Sequence, residues 1–556
     1  MLSVILSWVY IFLVCMLVGT GVLGFFKKKQ FSLIYYLVAG VIAITVYAEF
    51  FSLFGKTGAC AHGILLAGAL VAGFINRNRL RQIWQEYRGV LFSWEGFFYC
   101  CFAILIAFFT SRGEFHTDTN IYHAAAIRIY EEYGLVKGIG NLQLHYAYNS
   151  SYLAFASIFS FKWLIGQSLH TTTGFLETIM CLYAFHGLRD FVRHKNHVAD
   201  MMRVGILLYT LVNVIRSMSP ATDYATMYFA LFIMTAWCTN LFEGESDLTE
   251  FSLLSVAAVF TATLKFSSCL LILIAVYPAV CLIRDKKWKE IGGYLFCGCI
   301  ILFPFLMRNY YISGWLLYPF DKIDLFQVVW KIPKEFLVND ADQIKVWGRC
   351  LYDVTKVDMP VSEWLPVWWE HQFRYEKMFL GAVALGAILQ MVILFMRVMR
   401  RQKRKPGYAT LQFALWANIA EWFLMAPFIR YGLAFLLAVV MIAVGEYLSE
   451  RKSGFYSIAA GCLTFCVIVS VSPYWDQYVT DAGVFVKQSL KEPYYIMQKD
   501  YDKGSMESCE INGNKVYFST GEEVNSYHVF PGTCYKPMLE RSTLIGDKIE
   551  DGFRAK

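Results

Sequence analysis

Apolar stretches of roughly 20 residues recur along this chain, separated mostly by short loops rich in lysine and arginine. That length is what an α-helix needs to cross the hydrocarbon of a bilayer. Windows such as Met378–Met396 and Tyr431–Val444 satisfy it, and a soluble core helix is seldom so long and uninterrupted. Over 556 residues, 57% are hydrophobic and 17% charged, so the bilayer is the expected solvent.

The net charge of +7 does not point to nucleic acid, because the cations punctuate the apolar stretches instead of gathering in one domain. They form Lys27-Lys28-Lys29, NRNRLR from Asn76, RDFVRHK from Arg189, RDKKWK from Arg284, RRQKRK from Arg400 and ERK from Glu450. The positive-inside rule assigns all of these to the cytoplasm. With them as markers, spans fall near 3–25, 31–54, 57–75, 91–110, 170–187, 203–219, 224–242, 251–264, 267–283, 291–307, 378–396, 408–428, 431–449 and 455–472, about fourteen in all. Alternate crossings then return every basic cluster to the same side, with both termini outside. The first span has no basic residues before it and is expected to be a retained helix. Residues 251–283 are the weakest part of this pattern: two short spans flank Thr261-Ala-Thr-Leu-Lys265-Phe-Ser-Ser268, which suggests a hairpin stopping short of the outer surface.

The expected architecture is thus an all-α polytopic membrane domain over 1–473 with outer loops at 111–169 and 309–377, followed by an outer segment over 474–556. The turn Asn512-Gly513-Asn514 before the strand-like KVYF predicts a small β-containing cap there. Most of the 15 cysteines, among them Cys100, Cys101, Cys297, Cys299 and Cys462, sit in apolar spans as small hydrophobes. Cys509 and Cys534 lie outside and are candidates for a pair. No zinc-type spacing is present, and no internal repeat or pair of matching broken helices marks an inverted-repeat transporter.

The chemistry concentrates in the outer segment 111–151, SRGEFHTDTNIYHAAAIRIYEEYGLVKGIGNLQLHYAYNSS, directly after the fourth span. An acidic residue at the outer end of a membrane helix, backed by histidine and arginine, suits removal of a proton from an acceptor hydroxyl, which makes Asp118 the candidate base. Glu114, His116, Tyr122, His123, Arg128, Asn141, His145 and Asn149 are candidate substrate contacts around it. Asp118 and Tyr122 share a face if the segment is helical, and Ala124 to Ala126 favour that helix. The competing reading makes Asp118 only the helix N-cap, with Thr117 and Thr119 as alternatives. A divalent metal on His116, Asp118 and His123 is a third, disfavoured by the seven-residue spacing of the histidines. No cofactor is otherwise expected.

An acidic residue in the first large outer loop, just after a membrane helix, resembles the GT-C superfamily of membrane glycosyltransferases. Asp118 and Tyr122 are similar to the Asp and Tyr of the Asp-Glu…Tyr pattern in its protein-mannosyl and lipid A-aminoarabinose transferases. Thr119 departs from the Glu, and the motif follows the fourth span where the superfamily has it after the first. Over most of the chain, YHAAAIRIYEEYGLVKGIGNLQ, YNSSY, RNYYISGWLLYPFDKIDLFQVVWKIPKEF and APFIRYG resemble a family of uncharacterised bacterial multispanning proteins, which implies a bacterial cytoplasmic membrane.

Transfer from a polyprenyl phosphate carrier needs cations near the outer surface for the leaving phosphate, and Lys265, Arg308 and Arg430 are the candidates. Lys265 is a charge within apolar sequence, read either as functional or as snorkelling from a hairpin. Glu177 and Glu421 lie within spans and are expected to pair with neighbouring helices. Asp223 in SPATDY, with Asp321 and Asp324, are isolated outer carboxylates, expected to be solvated or capping. Trp315, Trp330, Trp347, Trp364, Trp368 and Trp369 suit interfacial anchoring or stacking on sugar. The expected activity is transfer of a sugar from a lipid-linked donor to an envelope glycan or lipid, with membrane lipids as surroundings. A flippase using Glu177, Glu421 and Lys265, or an envelope-polymer polymerase or ligase, are the alternatives.

Overall fold

The structure is a computed structural model describing residues 1–556 apart from 27, 29, 114–115, 245, 402–404, 451–493 and 522–526, and the side chain of Leu91. Helices dominate it. The bundle comprises α1 (Leu2–Leu23), α2 (Leu33–Ser52), α3 (Ala59–Ile75), α4 (Arg77–Tyr87), α5 (Trp94–Arg112), α6 (Ala124–Glu132), α7 (Thr172–Leu188), α8 (Val198–Asn213), α9 (Thr222–Phe242), α10 (Leu248–Leu264), α11 (Val276–Arg284), α12 (Trp288–Ser313), α13 (Arg374–Met399), α14 (Pro406–Met425) and α15 (Ile429–Glu450). Apolar residues surround most of these helices, so their backbone bonds are closed internally and every face can meet lipid or another helix.

Nine helices among the described residues are long and apolar enough to cross a membrane, fewer than the fourteen expected. The difference has particular causes. The span expected at 57–75 is α3, which bends by 82° into α4. Those at 170–187 and 251–264 are the 17-residue α7 and α10. That at 408–428 is α14, a 20-residue helix carrying Asn418 and Glu421. The last, 455–472, lies outside the described residues.

At residues 251–283 the hairpin expectation meets a specific break. α10 ends at Leu264, Lys265 is extended (φ −160°, ψ 136°), and 3₁₀ turns over Phe266–Ala275 lead into α11. Ser268 Oγ donates to the carbonyls of Thr261 (3.2 Å) and Lys265 (3.0 Å), so serine satisfies backbone oxygens freed by the break. Elsewhere glycine sets the packing. A Cβ on Gly19 would stand 1.8 Å from Tyr36 O, and one on Gly40 2.1 Å from Cys15 O, which is why α1 and α2 approach so closely.

Ion pairs sort the helix ends into two sets. At one end Lys28 meets Asp247 and Glu250, His186 meets Glu95, Arg203 meets Glu243, and Arg397 meets Glu446 and Glu450. This is the end of the basic clusters. At the other end, Leu2 and Ser3 N–H groups donate to Tyr495 O (2.7 Å) and Ile496 O (2.8 Å), and Gln498 Nε2 reaches Thr110 O (2.7 Å) and His170 O (3.0 Å). The start of α1, the end of α5 and the tail therefore lie together.

The tail forms a small β-containing cap. β1 (Met506–Ile511) and β2 (Asn514–Ser519) make a hairpin through Asn512 (φ 49°) and Gly513 (φ 76°), with β3 (Gly532–Thr533) parallel to β2 on its far side and β4 (Ser542–Leu544) paired with β5 (Phe553–Ala555). Both left-handed residues suit the tight turn. Cys509 and Cys534 do not form the expected disulfide with one another. Cys509 sits on β1 and Cys534 just beyond β3, two strand spacings or about 10 Å apart, too far for a disulfide.

In the loop between α12 and α13, Trp315, Trp364 and Trp368 are core residues. Trp315 Nε1 donates to Ile332 O (2.9 Å) and Trp368 Nε1 to Pro427 O (3.0 Å). Trp347 and Trp369 are exposed.

Candidate functional site

Past the end of α5 the chain turns at Gly113, where a Cβ would lie 2.5 Å from Ile215 O. It then enters a π-helical turn over Thr119–His123 before continuing as α6. The wider turn is held from two sides. Thr119 Oγ1 bonds Ser219 Oγ at 2.6 Å, just ahead of α9, and Gln143 Nε2 donates to Ile121 O at 3.0 Å. Gln143 Oε1 accepts the Cys534 N–H (3.1 Å), tying the cap to the same turn. Asp118 stands at the N-cap position, yet its side chain caps nothing.

Its carboxylate turns to Arg430 at the start of α15, whose Nη2 donates to Oδ2 at 3.1 Å. Arg430 Nε lies 3.4 Å from Asp223 Oδ2, and the other oxygen of Asp223 accepts from Lys265 Nζ. Lys265 also rests over the Tyr431 ring, 3.3 Å from its centroid, and Tyr431 Oη is 3.2 Å from Arg430 Nη2. A chain Asp118–Arg430–Asp223–Lys265 thus forms from four distant segments, two carboxylates against two cations. The side chains of Asp118 and Lys265 remain 26% and 25% exposed, whereas Asp223 is nearly closed off at 6%, so the row has an open side. The break after Leu264 puts Lys265 here: at a helix interior position its ammonium would point elsewhere.

Burial pushes the Asp118 carboxyl up, but the Arg430 guanidinium, helped by His116 and His123, holds it below the usual carboxylate range. It is ionised at neutral pH. His116 is pushed down to about 4 by burial and by Arg430, and is neutral. A guanidinium only donates, so His116 Nε2 accepts from Arg430, while Nδ1 lies 3.2 Å from the Asp118 backbone nitrogen and 3.5 Å from its Oδ2. His123, also neutral because burial lowers it to about 3, packs against Tyr122 with both ring nitrogens lacking hydrogen bonds among the described residues. A buried imidazole with two unused nitrogens beside an open carboxylate is suited to meeting a polar ligand.

These shifts make three histidines a source of acid sensitivity. His116, His123 and His170 are all depressed, the last to about 3 by burial, so the unfolded chain takes up protons on them below about pH 6.5 that the folded chain refuses until about pH 4. Their contribution is full above that window and falls through it by up to roughly 1.4 kcal/mol per pH unit for each imidazole, while the Glu131 carboxyl, pushed up to about 7 by burial, acts in the opposite sense. In thermal unfolding His170→Phe should therefore lose less stability than the wild type between about pH 6.5 and 5; an unchanged slope would contradict the assignment.

Other candidates are held elsewhere. Arg308 is buried, donating to Ser52 Oγ (2.9 Å) and Gly134 O (2.8 Å) with its guanidinium 3.6 Å from the Tyr130 ring centroid. Arg128 pairs with Glu131 and Glu132 one turn away. Asn141 donates to Trp330 O (2.9 Å) and, more weakly, to Phe553 O (3.4 Å), joining loop and cap, and Asn149 donates to Phe305 O (3.0 Å). His145 stacks on Tyr122 (centroids 5.2 Å, 16°), so Tyr122 and His145 form one aromatic wall behind Asp118. Glu114 lies outside the described residues. Glu177 accepts from Ser217, and Lys265 pairs with Asp223 and not with Glu177 or Glu421. Asp223 is the member of this row that reading the chain underrated, and only its place at a helix start signalled it.

A second charged group lies at the basic end. His194, Asp200 and Glu243 bring ligand atoms within 4.8 Å of one another, a spacing open to a metal. Arg203 already supplies the positive charge, with Nη1 2.9 Å from Asp200 and both terminal nitrogens 2.7 Å from Glu243.

Residues 1–437 match the family model described as a domain of unknown function, DUF8201. No curated protein and no solved structure matches the chain.

Proposed function

We propose that this chain, which belongs to the DUF8201 family, is an inverting membrane glycosyltransferase that moves a sugar from a polyprenyl-phosphate donor to an envelope glycan or lipid. The observation that carries the reading is the open row Asp118–Arg430–Asp223–Lys265, which joins an ionised carboxylate to two cations at one end of the bundle. The positive-inside rule assigns the opposite, basic end to the cytoplasm and this end to the outside of a bacterial cytoplasmic membrane.

In the reaction, the acceptor hydroxyl gives its proton to the Asp118 carboxylate as its oxygen attacks the anomeric carbon from the face opposite the carrier. The bond from that carbon to the phosphate oxygen breaks, and its electron pair leaves on polyprenyl phosphate. Lys265 and Arg430 receive the growing negative charge. Lys265 has ammonium hydrogens beyond the one given to Asp223, and among the described residues Arg430 Nε has no aligned hydrogen bond. His116 holds Arg430 in place from the other side, and Tyr122 with His145 offers an aromatic wall for a sugar ring. The charges gather at one end instead of lining a path through the bundle, which favours transfer over a flippase.

Binding of polyprenyl monophosphate to the purified protein tests the donor half of this account. Lys265→Ala should weaken it at least about tenfold, the worth of one charge-assisted hydrogen bond, while Asp223 keeps Arg430 as partner. Unchanged affinity would remove Lys265 from the donor site.

A further inference from the structure

A short amphipathic helix lies across the basic end of the bundle, opposite the end that holds Asp118. α3 bends by 82° into α4, and the two ends of α4 are fixed to different parts of the bundle. At the bend, a Cβ on Gly73 of α3 would lie 2.5 Å from the Leu17 side chain and one on Gly24 3.0 Å from Asn76 Oδ1, so α4 begins beside the end of α1. At its far end Gln30 Nε2 donates to Glu86 Oε2 (2.8 Å), the Leu33 N–H reaches Tyr87 Oη (3.4 Å), and the Tyr87 ring meets His186 (centroids 4.9 Å). That end therefore rests at the start of α2 and the end of α7. α4 runs across the helix ends instead of along them, at the level where α3 stops and α5 starts.

Its sequence, RNRLRQIWQEY, carries two stripes at helical spacing. Leu80, Ile83 and Tyr87 form the first and pack on the bundle. Arg77, Arg81, Trp84 and Arg88 form the second, at i, i+4, i+7 and i+11, and all four are exposed, Trp84 at 70%. Arg88 belongs to this face because it keeps helical angles at the C-cap and its N–H bonds Trp84 O. Among the described residues none of the three arginines pairs with a carboxylate, and Arg77 rests over the Phe74 ring, 5.4 Å from its centroid. Glu86, the one acid in the helix, faces about 160° away from them at 3.6 residues per turn and is taken by Gln30. Phe92 and Trp94, between α4 and the body of α5, are exposed as well.

A tryptophan among exposed arginines, at the height where apolar helices end, suits a helix lying in a headgroup layer. The indole sits at the interface, the arginine stems lie along apolar surface, and the planar guanidiniums take phosphate oxygens two at a time. Three cations without carboxylate partners favour a leaflet of net negative charge over a zwitterionic one, whose ammonium groups offset its phosphates. A soluble polyanion would satisfy the arginines but leave Trp84, Phe92 and Trp94 in water.

We propose that α4 docks through Arg77, Arg81, Trp84 and Arg88 on the anionic phospholipid headgroups of the leaflet at the basic end. The surface needs neither Asp118 nor any transfer activity, so it stands or falls independently of the reading above.

The test is hydrogen exchange of the full-length protein in lipid nanodiscs, read on peptides covering residues 77–88. With phosphatidylglycerol present, the wild-type amides there should exchange about tenfold more slowly, or slower still, than in pure phosphatidylcholine, as expected for three cations at a charged surface, while α9 exchanges alike in both. Combining Arg77→Gln, Arg81→Gln and Arg88→Gln should erase the difference. Should that variant not fold, raising the salt on the wild type from about 0.05 M to about 0.5 M should do the same by screening. Equal exchange in the two lipids, or a difference that survives both the folded triple variant and high salt, would overturn the proposal. So would equal protection of residues 77–88 by heparin in phosphatidylcholine nanodiscs, which would make this face a site for a soluble acidic partner.

Discussion

Arg430→Ala is expected to reduce sugar transfer by about 10²-fold or more, the usual penalty for losing a preorganised charge at a developing anion. The loss goes beyond one phosphate contact, because Arg430 lies between Asp118 and Asp223 and its removal leaves two carboxylates facing one remaining cation, Lys265. Burial and Asp223 both push the Asp118 carboxyl up, and Arg430 is the largest influence holding it down. Without the guanidinium, Asp118 keeps its proton to higher pH, so the acid limb of the residual activity should move upward. Arg430→Lys restores a positive charge without the planar fork, and should return the acid limb toward its original position while recovering only part of the rate. A variant that is slow but has an unmoved acid limb would show that Arg430 acts on the donor alone.

Arg203→Ala should cost roughly 3–5 kcal/mol of stability, the range for breaking a buried ion pair from one side. Arg203 is 2% exposed and bonds Asp200, itself fully buried, together with both oxygens of Glu243. Alanine would leave two carboxylates with, among the described residues, His194 and His197 as the neighbours able to compensate. Arg203→Lys keeps one charge but not the bidentate geometry, and should fall between the two. Thermal unfolding in detergent reads the difference. Because the network joins the start of α8 to the end of α9 at the basic end, activity per folded molecule should be unaffected.

Some of this was written locally in the chain and some was not. The spans are legible because a bilayer demands about 20 apolar residues in a row, yet α7 and α10, mostly buried among other helices, stop at 17, and α3 bends into α4. Lys265 and Arg430 stand out as cations against the inward bias of the rest. Arg308 carries the same signal in sequence, and only tertiary packing against Tyr130 and Gly134 separates it from them. For Asp118, spacing left capping and catalysis open, because both begin with a carboxylate before a helix. The π turn over Thr119–His123 and the contact with a residue 312 positions away decide where that carboxylate points, and neither is encoded within a window of sequence. Asp223 was legible only as a lone acid, since its two partners come from other segments. Cys509 and Cys534 looked like a pair until strand order set β2 between them.

The central claim is that the Asp118 carboxylate performs transfer. It is tested most directly by mass spectrometry of envelope glycans from a strain lacking this gene, complemented with either the wild type or Asp118→Asn at equal folded abundance. The account predicts that the wild type restores the missing sugar and the isosteric amide does not. Full restoration of that sugar by Asp118→Asn would contradict it.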